Sequence, residues 1–484
     1  MTEQDKIKIS VENYGPIAEA KDIEIGPLTV FVGPSNTGKS YLAVLIYALF
    51  KCVYGKLWGL SIASAARRHG HFYRDVLEEK HVQQIHDLID NLEQLSETAD
   101  FFDLPENLRG WISQLISEYT YEAFHEEISR CTGIIPKEND LISDKFHIDF
   151  EDERHKLTIP SLDKIPAMNI KKGHEIPCYI FSLLARIKGM DEEERKADFL
   201  VDELLTKTLL SIRTAANPFY LPAARTGIMQ SHRAIAATLV HRAPFAALEP
   251  VSIPALSGIL SDFLSELIQM DISERPEANI YKIAEKMETD ILHGTVKLDL
   301  SGPSQYPQFS YKQNGLEVPL LRSSSMVSEL APIVMYLKHL VKKGDLLIIE
   351  EPEAHLHPEA QREVAKTIVR LIRHGVKVMV TTHSDYLLEQ LENHVRVSNL
   401  SEERRKALVG DAGLYIEPDE INTYWFQQKE QGTVVKKLQF DNMEGSLSPQ
   451  DHNQISSALY NETVNILDEI EHLQESKGEY KESE

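Results

Sequence analysis

The most informative segment of the chain is Gly33-Pro34-Ser35-Asn36-Thr37-Gly38-Lys39-Ser40. It has the spacing G-x-x-x-x-G-K-[ST], with an apolar strand-like run before it and a helical pattern after it, the context in which this spacing forms a phosphate-binding loop. Its glycines let backbone N–H groups and the helix N-terminus face phosphate oxygens. Lys39 is predicted to supply charge to the β- and γ-phosphates, and Ser40 to take a Mg²⁺ position. The segment predicts binding of ATP with Mg²⁺.

A second signal is an apolar strand that ends in two acids, Leu346-Leu347-Ile348-Ile349-Glu350-Glu351-Pro352. Metal-assisted phosphoryl transfer uses carboxylates at such a position. Glu350 is predicted to hold Mg²⁺ through its water shell, and Glu351 to orient or deprotonate the attacking water. The alternative is a strand capped by solvated acids, which does not account for Pro352 and the segment His355-Leu356-His357-Pro358 that follows.

A third strand ends in Thr381-Thr382-His383-Ser384. His383 would lie at the same sheet edge, where its imidazole could contact the γ-phosphate. A single histidine at a strand end is often structural, but this one follows the phosphate loop and the paired acids in the expected order. We therefore predict that Lys39, Glu351 and His383 are the catalytic residues.

Composition sets limits on the class of protein. The chain has 484 residues, 42% hydrophobic and 26% charged, which is ordinary for a globular protein. Its formal net charge of −24 argues against a surface built mainly to coat DNA, because such binding needs Lys and Arg to neutralise phosphates. A local basic groove stays possible, so nucleic acid is left open as a partner.

The cysteines and the N-terminal residues predict a cytoplasmic protein. Cys52, Cys131 and Cys178 lie far apart without a CxxC pair, so their spacing indicates neither a disulfide framework nor a zinc site. The polar, acidic start at Met1 lacks the pattern of a signal peptide. The apolar residues 41–60 are long enough to suggest a membrane span, but they contain lysines and follow the phosphate loop, so we predict a buried helix and no membrane association.

The pattern along the chain predicts an α/β fold, a P-loop NTPase with a mostly parallel central sheet, N-terminal antiparallel strands and a large, mainly helical insertion. The ATPase domain, here called the head, is predicted to have an N-terminal lobe (1–60) and a C-terminal lobe (217–440). The helical insertion (61–216) separates the two lobes, and a C-terminal helix with a frayed tail (441–484) follows them. No internal repeat or long heptad run is visible.

These motifs resemble those of the SMC/RecF/OLD-like branch of ABC ATPases. The resemblance covers the opening Asn13-Tyr14-Gly15-Pro16-Ile17, the phosphate loop, the segment Ile349-Glu350-Glu351-Pro352-Glu353-Ala354-His355-Leu356-His357-Pro358 and the Thr-Thr-His-Ser end of the third strand. It implies the ABC type of head and ATP hydrolysis. It also implies head-to-tail dimers, in which a signature segment of one head covers the ATP of the other.

The signature segment implied by this resemblance is Ser323-Ser324-Ser325-Met326-Val327-Ser328-Glu329-Leu330. Ser323, Ser324 and Ser325 would bind the partner's ATP, since serine hydroxyls and N–H groups at a helix start form a phosphate site. The alternative is a serine-rich helix cap. Met326 stands where glycine is usual, and Glu350 where Asp is usual. Both departures resemble the OLD-like subset and bear on the hydrolysis rate more than on ATP binding.

Further residues have weaker signals. Tyr220-Leu221-Pro222-Ala223-Ala224-Arg225 resembles a strand-end motif of the same subset, with Arg225 placed to sense nucleotide or to pair with a sheet-edge acid. Gln230 is either a water-coordinating glutamine or an exposed polar residue. Residues 67–74 combine basic and aromatic side chains that suit nucleic acid or a solvated helix end. The acids of 149–153 suit a two-metal site or, as we favour, a charged hairpin.

Two functions from different classes follow from the resemblance. The first is a sensor or scaffold ATPase of anti-phage defence, similar to the ATPase of PARIS-type systems, which holds a separately encoded effector protein. The acidic surface favours it, as does the lack of a readable Toprim pattern after His383. The alternative is a DNA recombination or repair ATPase. A third hypothesis is a nucleotide-gated oligomer with little turnover.

Overall fold

The computed structural model describes residues 7–54, 127–132, 148–151, 156–159, 217–231, 256–270, 277–299, 307–438, 458 and 461–467. Its strands are β1 (Ile7–Tyr14), β2 (Ile17–Ile25), β3 (Leu28–Val32), β4 (Ile148–Glu151), β5 (Lys156–Ile159), β6 (Pro218–Leu221), β7 (Thr295–Asp299), β8 (Gln308–Gln313), β9 (Leu316–Pro319), β10 (Leu346–Glu350), β11 (Lys377–Thr382), β12 (Ile421–Lys429) and β13 (Gly432–Leu438). Its helices are α1 (Lys39–Tyr54), α2 (Gly258–Ile268), α3 (Ala278–Met287), α4 (Ser325–His339), α5 (Pro358–Arg373), α6 (Asp385–Arg396) and α7 (Glu402–Val409).

The main sheet has ten strands in the order β5-β4-β1-β2-β13-β12-β3-β11-β10-β6. β12, β3, β11, β10 and β6 are joined by parallel pairing, and β1 pairs with β2 in antiparallel fashion. The predicted α/β fold, a mostly parallel sheet with N-terminal antiparallel strands, is confirmed. In register, Thr382 lies opposite Val32 and Glu350 opposite Thr381. The phosphate loop, the paired acids and the third strand end therefore share one edge of the sheet.

The predicted insertion contributes to the edge of this sheet. β4 and β5, which lie within 61–216, form an antiparallel hairpin, and β4 pairs with β1. Residues 149–151 are thus in a strand, as the hairpin interpretation expects. The basic and aromatic stretch 67–74 lies outside the described residues, as does most of 61–216. In the C-terminal region, 458 and 461–467 are helical.

A small second sheet precedes α4. β7, β8 and β9 form it with antiparallel pairing. The sequence predicts one helix over 278–292, but α3 ends at Met287 and a π-helix follows over Glu288–Leu292. There the Glu288 carboxylate accepts the backbone N–H of Val296 at 2.7 Å and pairs with Lys338 of α4 at 2.7 Å. These buried contacts accompany the change of helical pitch.

The hydrophobic core surrounds α4. Every residue of β3 and β10 is buried, as expected for parallel strands covered on both faces. α4 is buried from Val327 to Lys338, including the two charged residues Glu329 and Lys338. α1 starts in the phosphate loop and buries most of its residues, consistent with the predicted buried helix. Within the described ranges, no helix combines the length and apolarity needed to cross a bilayer.

Candidate functional site

The phosphate loop has a backbone that only certain residues adopt easily. Gly33, Asn36 and Gly38 have φ values of 150°, 64° and 92°. Glycine and, less readily, asparagine tolerate positive φ. The G-x-x-x-x-G-K-[ST] spacing therefore supplies permissive residues where the chain curls between β3 and α1.

The two glycines also allow close packing around the loop. A Cβ atom on Gly33 would lie 2.7 Å from the carbonyl oxygen of Phe426, and one on Gly38 would lie 2.9 Å from side-chain carbons of Pro16 and Ile17. The turn between β1 and β2, which carries the Asn13-to-Ile17 motif, thus covers the loop. This contact gives that motif a physical role beside the phosphate loop.

Lys39 lies folded over the loop. Its Nζ donates to the carbonyl oxygens of Gly33 and Pro34, each at 2.7 Å, and the residue is 7% exposed. Burial lowers the pKa of Lys39, and the charges of Glu351 and Glu353 partly oppose that shift. The ammonium is therefore held against the loop by two of its carbonyl oxygens, within range of the charges of Glu351 and Glu353.

The two predicted metal ligands are hard oxygen donors, which suit Mg²⁺. Ser40 is exposed in the first turn of α1. Glu350 is buried at the end of β10, where one carboxylate oxygen accepts the backbone N–H of Ala223 at 3.0 Å. Burial, followed by the charge of Glu350, raises the pKa of Tyr220 well above its usual value. Glu350 is thus oriented beside a neutral phenol, and the donor set fits the predicted cation.

Glu351 and His383 form the adjacent part of the site. The Nδ1 of His383 lies 3.6 Å from the Oε1 of Glu351, and both side chains are partly exposed. Glu351 has a φ of 42°, which is disfavoured for a residue other than glycine. Its backbone N–H donates to the carbonyl oxygen of Thr381 at 2.9 Å. The structure therefore brings together two residues that the sequence predicted separately.

Glu353 is a site residue for which the sequence predicted no role. Its Oε1 accepts the Thr382 hydroxyl at 2.6 Å and the backbone N–H of His383 at 3.0 Å. The Nδ1 of His383 is 3.7 Å from the same oxygen. The only sequence signal was a third acid in Glu-Glu-Pro-Glu, two residues after Glu351. Its partners follow a different strand, so spacing alone could not identify them.

Arg225 is fully buried behind the paired acids. Its guanidinium donates to the backbone carbonyl oxygens of Glu350 and Glu351, rather than to their carboxylates. Its Nε lies 3.5 Å from the carboxylate of Glu329 in α4. Burial lowers the pKa of Arg225, and the charge of Glu329 is the largest opposing cause. Gln230 is exposed on the same helical segment, residues 225–231.

The three signature serines lie at the start of α4. Ser324 and Ser325 are exposed, and Ser323 is partly buried. The Ser324 hydroxyl accepts the N–H of Val327 at 3.4 Å as a helix cap, and the Ser323 hydroxyl donates to the carbonyl oxygen of Leu320 at 2.6 Å. These two hydrogen bonds agree with the helix-cap interpretation. The exposure of Ser324 and Ser325 is also compatible with the phosphate-binding interpretation.

Comparisons with known proteins match the chain to one family and to several solved structures. Residues 6–388 match the family AAA_15, described as an AAA ATPase domain. The search of curated proteins found no match. Among solved structures, the SMC head domain from Thermotoga maritima shares 9% identity with a TM-score of 0.33, covering 90% of this chain and 100% of that one. An Smc head domain with an extended coiled coil, bound to the C-terminal domain of ScpA and derived from Pyrococcus furiosus, shares 11% identity with a TM-score of 0.34, covering 94% and 99%.

Proposed function

Because this chain belongs to the AAA ATPase domain family, we propose that it hydrolyses ATP with Mg²⁺ in an ABC-type head that works only when paired with a second head. One observation carries the proposal. Glu351 and His383 follow the neighbouring strands β10 and β11, and Lys39 follows β3 through the phosphate loop, so all three lie at one edge of the sheet. Phosphoryl transfer depends on positioning and charge stabilisation, which this arrangement supplies.

Each residue has a distinct part in the proposed reaction. Lys39 and the N–H groups of the loop bind the β- and γ-phosphates. Glu351 accepts a proton from the water that attacks the γ-phosphorus, and His383 contacts the γ-phosphate oxygens. The bond to the ADP oxygen then breaks, giving ADP and phosphate. Ser40 and Glu350 are the residues that would hold Mg²⁺, and the ion would supply positive charge to the phosphate oxygens.

The signature segment completes the site of a second copy. Ser324 and Ser325 are exposed at the N-terminus of α4, a place suited to phosphate oxygens. In the proposed head-to-tail homo-oligomer, Ser323, Ser324 and Ser325 of one head cover ATP bound to the other. ATP closes the pair and hydrolysis loosens it, so each site needs both subunits.

Size by light scattering, with phosphate release in parallel, tests this proposal on the wild type, Lys39→Ala and Glu351→Gln with ATP and Mg²⁺. Loss of the base should lower turnover by about 10²-fold or more. Glu351→Gln should trap a larger assembly when ATP is added. Lys39→Ala should keep the size that the protein has without ATP and should hydrolyse no ATP. A size and a rate that do not respond to either substitution contradict the proposal.

We further propose that the cycle serves a separately encoded effector protein in anti-phage defence, as in PARIS-type systems. The net charge of −24 favours a protein partner over a DNA surface. A pull-down from the native operon should recover a stoichiometric protein. Strong, salt-dependent stimulation of hydrolysis by duplex ends would instead favour the DNA recombination or repair function.

A further inference from the structure

The Arg225 side chain lies between the backbone of the paired acids and helix α4. In the proposed dimer, the acids act on the head's own ATP and the start of α4 covers the ATP of the second head. One side of its guanidinium donates to the main-chain oxygens of Pro222, Glu350 and Glu351, the last at 3.0 Å. The other side faces Glu329, four residues after Ser325, the first residue of α4. Both charged side chains are almost fully buried, at 0% and 2% exposure. The signature helix and the backbone of the paired acids therefore meet at one guanidinium.

The contact to Glu329 is loose, whereas the contacts to the acids are close. The Nε of Arg225 lies 3.5 Å from Glu329 Oε2, longer than a hydrogen bond, and is buried without a hydrogen-bond partner in the described part of the chain. Thr226 donates to the same carboxylate oxygen at 3.0 Å. A small shift of α4 toward Arg225 would convert the loose ion pair into a charge-assisted hydrogen bond.

Glu351 is the residue whose main chain a movement of Arg225 would affect. Its positive φ is a conformation that a glutamate keeps only when neighbouring groups hold it. Arg225 is one of those groups, because it donates to the carbonyl oxygen of Glu351. Thr381 is another, because its carbonyl oxygen accepts the backbone N–H of Glu351. Arg225 thus helps to hold the main chain from which the Glu351 carboxylate projects.

We propose that Arg225 and Glu329 are positioning residues that couple the signature helix to Glu351. When α4 engages ATP on a second head, Glu329 draws the guanidinium and thereby sets the main chain of Glu351 for attack by water. The coupling acts within one chain, so hydrolysis by a head depends on its own α4 being engaged. This inference rests on the proposed ATPase function and adds a step to it.

A buried ion pair can also be purely structural, and the same helix offers a matched control. Lys338, near the other end of α4, pairs with Glu288 at 2.7 Å, and both side chains are 7% exposed. That pair holds α4 to the π-helix and to β7, away from the paired acids. Glu329→Gln neutralises a buried acid of α4 and Glu288→Gln a buried acid that pairs with α4, but only the first substitution changes the proposed coupling.

The test measures kcat and KM for ATP in the full-length wild type, Glu329→Gln and Glu288→Gln, at a temperature where thermal unfolding shows all three folded. Glu329→Gln should lower kcat about tenfold or more, since misplacement of about 1 Å can cost roughly 10²-fold, and KM should stay within about twofold. Glu288→Gln should keep kcat within about twofold of the wild type, because its pair does not contact the acids. Equal losses in both variants, or no loss in Glu329→Gln, would overturn the coupling.

A second measurement separates coupling from assembly. In the Glu351→Gln background, adding Glu329→Gln should leave the ATP-trapped assembly intact by light scattering, because the serines and the phosphate loop are unchanged. Loss of the assembly would show that the pair serves dimer formation and would overturn the inference. If the wild type itself releases no phosphate, the proposed ATPase function fails, an outcome distinct from failure of the coupling alone.

Discussion

The carboxylate of Glu353 fixes the main chain of His383, with its Oε1 3.0 Å from the backbone nitrogen of that residue. The same oxygen accepts the Thr382 hydroxyl at 2.6 Å, and the Glu353 side chain is 4% exposed. Its second oxygen is buried without a hydrogen-bond partner among the described residues. Burying a carboxylate with few donors is costly, which is consistent with a role in holding the end of β11 beside the γ-phosphate position.

Glu353→Ala should lower both stability and turnover. The substitution removes the acceptor of the buried Thr382 hydroxyl and of the His383 N–H, and a buried donor without an acceptor costs about 1–3 kcal/mol. Displacement of His383 should lower kcat about tenfold or more. Glu353→Gln keeps an acceptor oxygen and should recover most of both losses. Chemical denaturation and phosphate release measure the two effects.

Glu389→Ala is the matched control for that substitution. Glu389 is an exposed glutamate on α6, so its removal should change the free energy of unfolding by no more than about 0.5 kcal/mol. A Glu353→Ala protein as stable and as active as Glu389→Ala would mean that Glu353 does not position His383.

Motifs whose chemistry requires fixed local spacing could be predicted from the sequence. The phosphate loop follows the buried strand β3, and the paired acids lie at the end of β10, both as expected. These features depend on short-range patterns of apolar residues, glycines and acids. The sheet edge on which they meet then follows from parallel pairing.

The contacts of Glu353 and Arg225 could not be predicted in the same way. Glu353 bonds to residues after β11, and Arg225 reaches β10 and α4, so both depend on strand order and helix packing. The π-helix at Glu288 also depends on tertiary contacts, because the local pattern there continues a regular helix. Long-range pairing of buried polar groups is not encoded in local periodicity.

Gly38→Ala should weaken ATP binding. An alanine there would have to keep a φ of 92°, and its Cβ would lie 2.9 Å from carbons of Pro16 and Ile17. The left-handed conformation alone costs an L-residue about 1–2 kcal/mol, and 1.4 kcal/mol is tenfold in affinity. Titration calorimetry with a non-hydrolysable ATP analogue should therefore show affinity reduced by about tenfold or more.

Gly227→Ala provides the contrast. Gly227 lies in the helical segment 225–231, and a Cβ atom there would meet nothing within 4 Å. Alanine favours a helix over glycine by roughly 0.5–1 kcal/mol, so this variant should be slightly more stable and bind the analogue normally. Equal loss of binding in both variants would contradict the role given to the packing around Gly38.

His383→Ala should separate turnover from nucleotide affinity. Lys39 and the loop N–H groups are untouched by the substitution, so analogue binding should stay within about twofold of the wild type. Loss of a donor to the transferring phosphate should lower kcat by about 10²-fold. His374→Ala, at an exposed histidine after α5, should leave kcat unchanged. Loss of binding in parallel with turnover would place His383 in nucleotide binding instead.

His394 of α6 gives the fold a dependence on pH. The residue is fully buried, and burial lowers its pKa to about 4. Its Nδ1–H donates to the carbonyl oxygen of Leu414 at 3.0 Å, and its Nε2 lies 3.1 Å from the Gln390 amide nitrogen, an arrangement that suits the neutral ring. Between pH 6.5 and about 4 the unfolded chain binds a proton at this residue that the folded chain does not.

The stability that neutral His394 contributes should therefore be complete above pH 6.5 and decline as the pH falls toward 4. His394→Gln lacks the titrating group, so the difference in unfolding free energy between wild type and variant should narrow by about 3 kcal/mol from pH 7 to pH 4, at about 1.4 kcal/mol per pKa unit. Urea denaturation at a series of pH values measures that difference. A difference that stays constant for His394→Gln would mean that the buried ring accepts a proton as readily as the unfolded chain does.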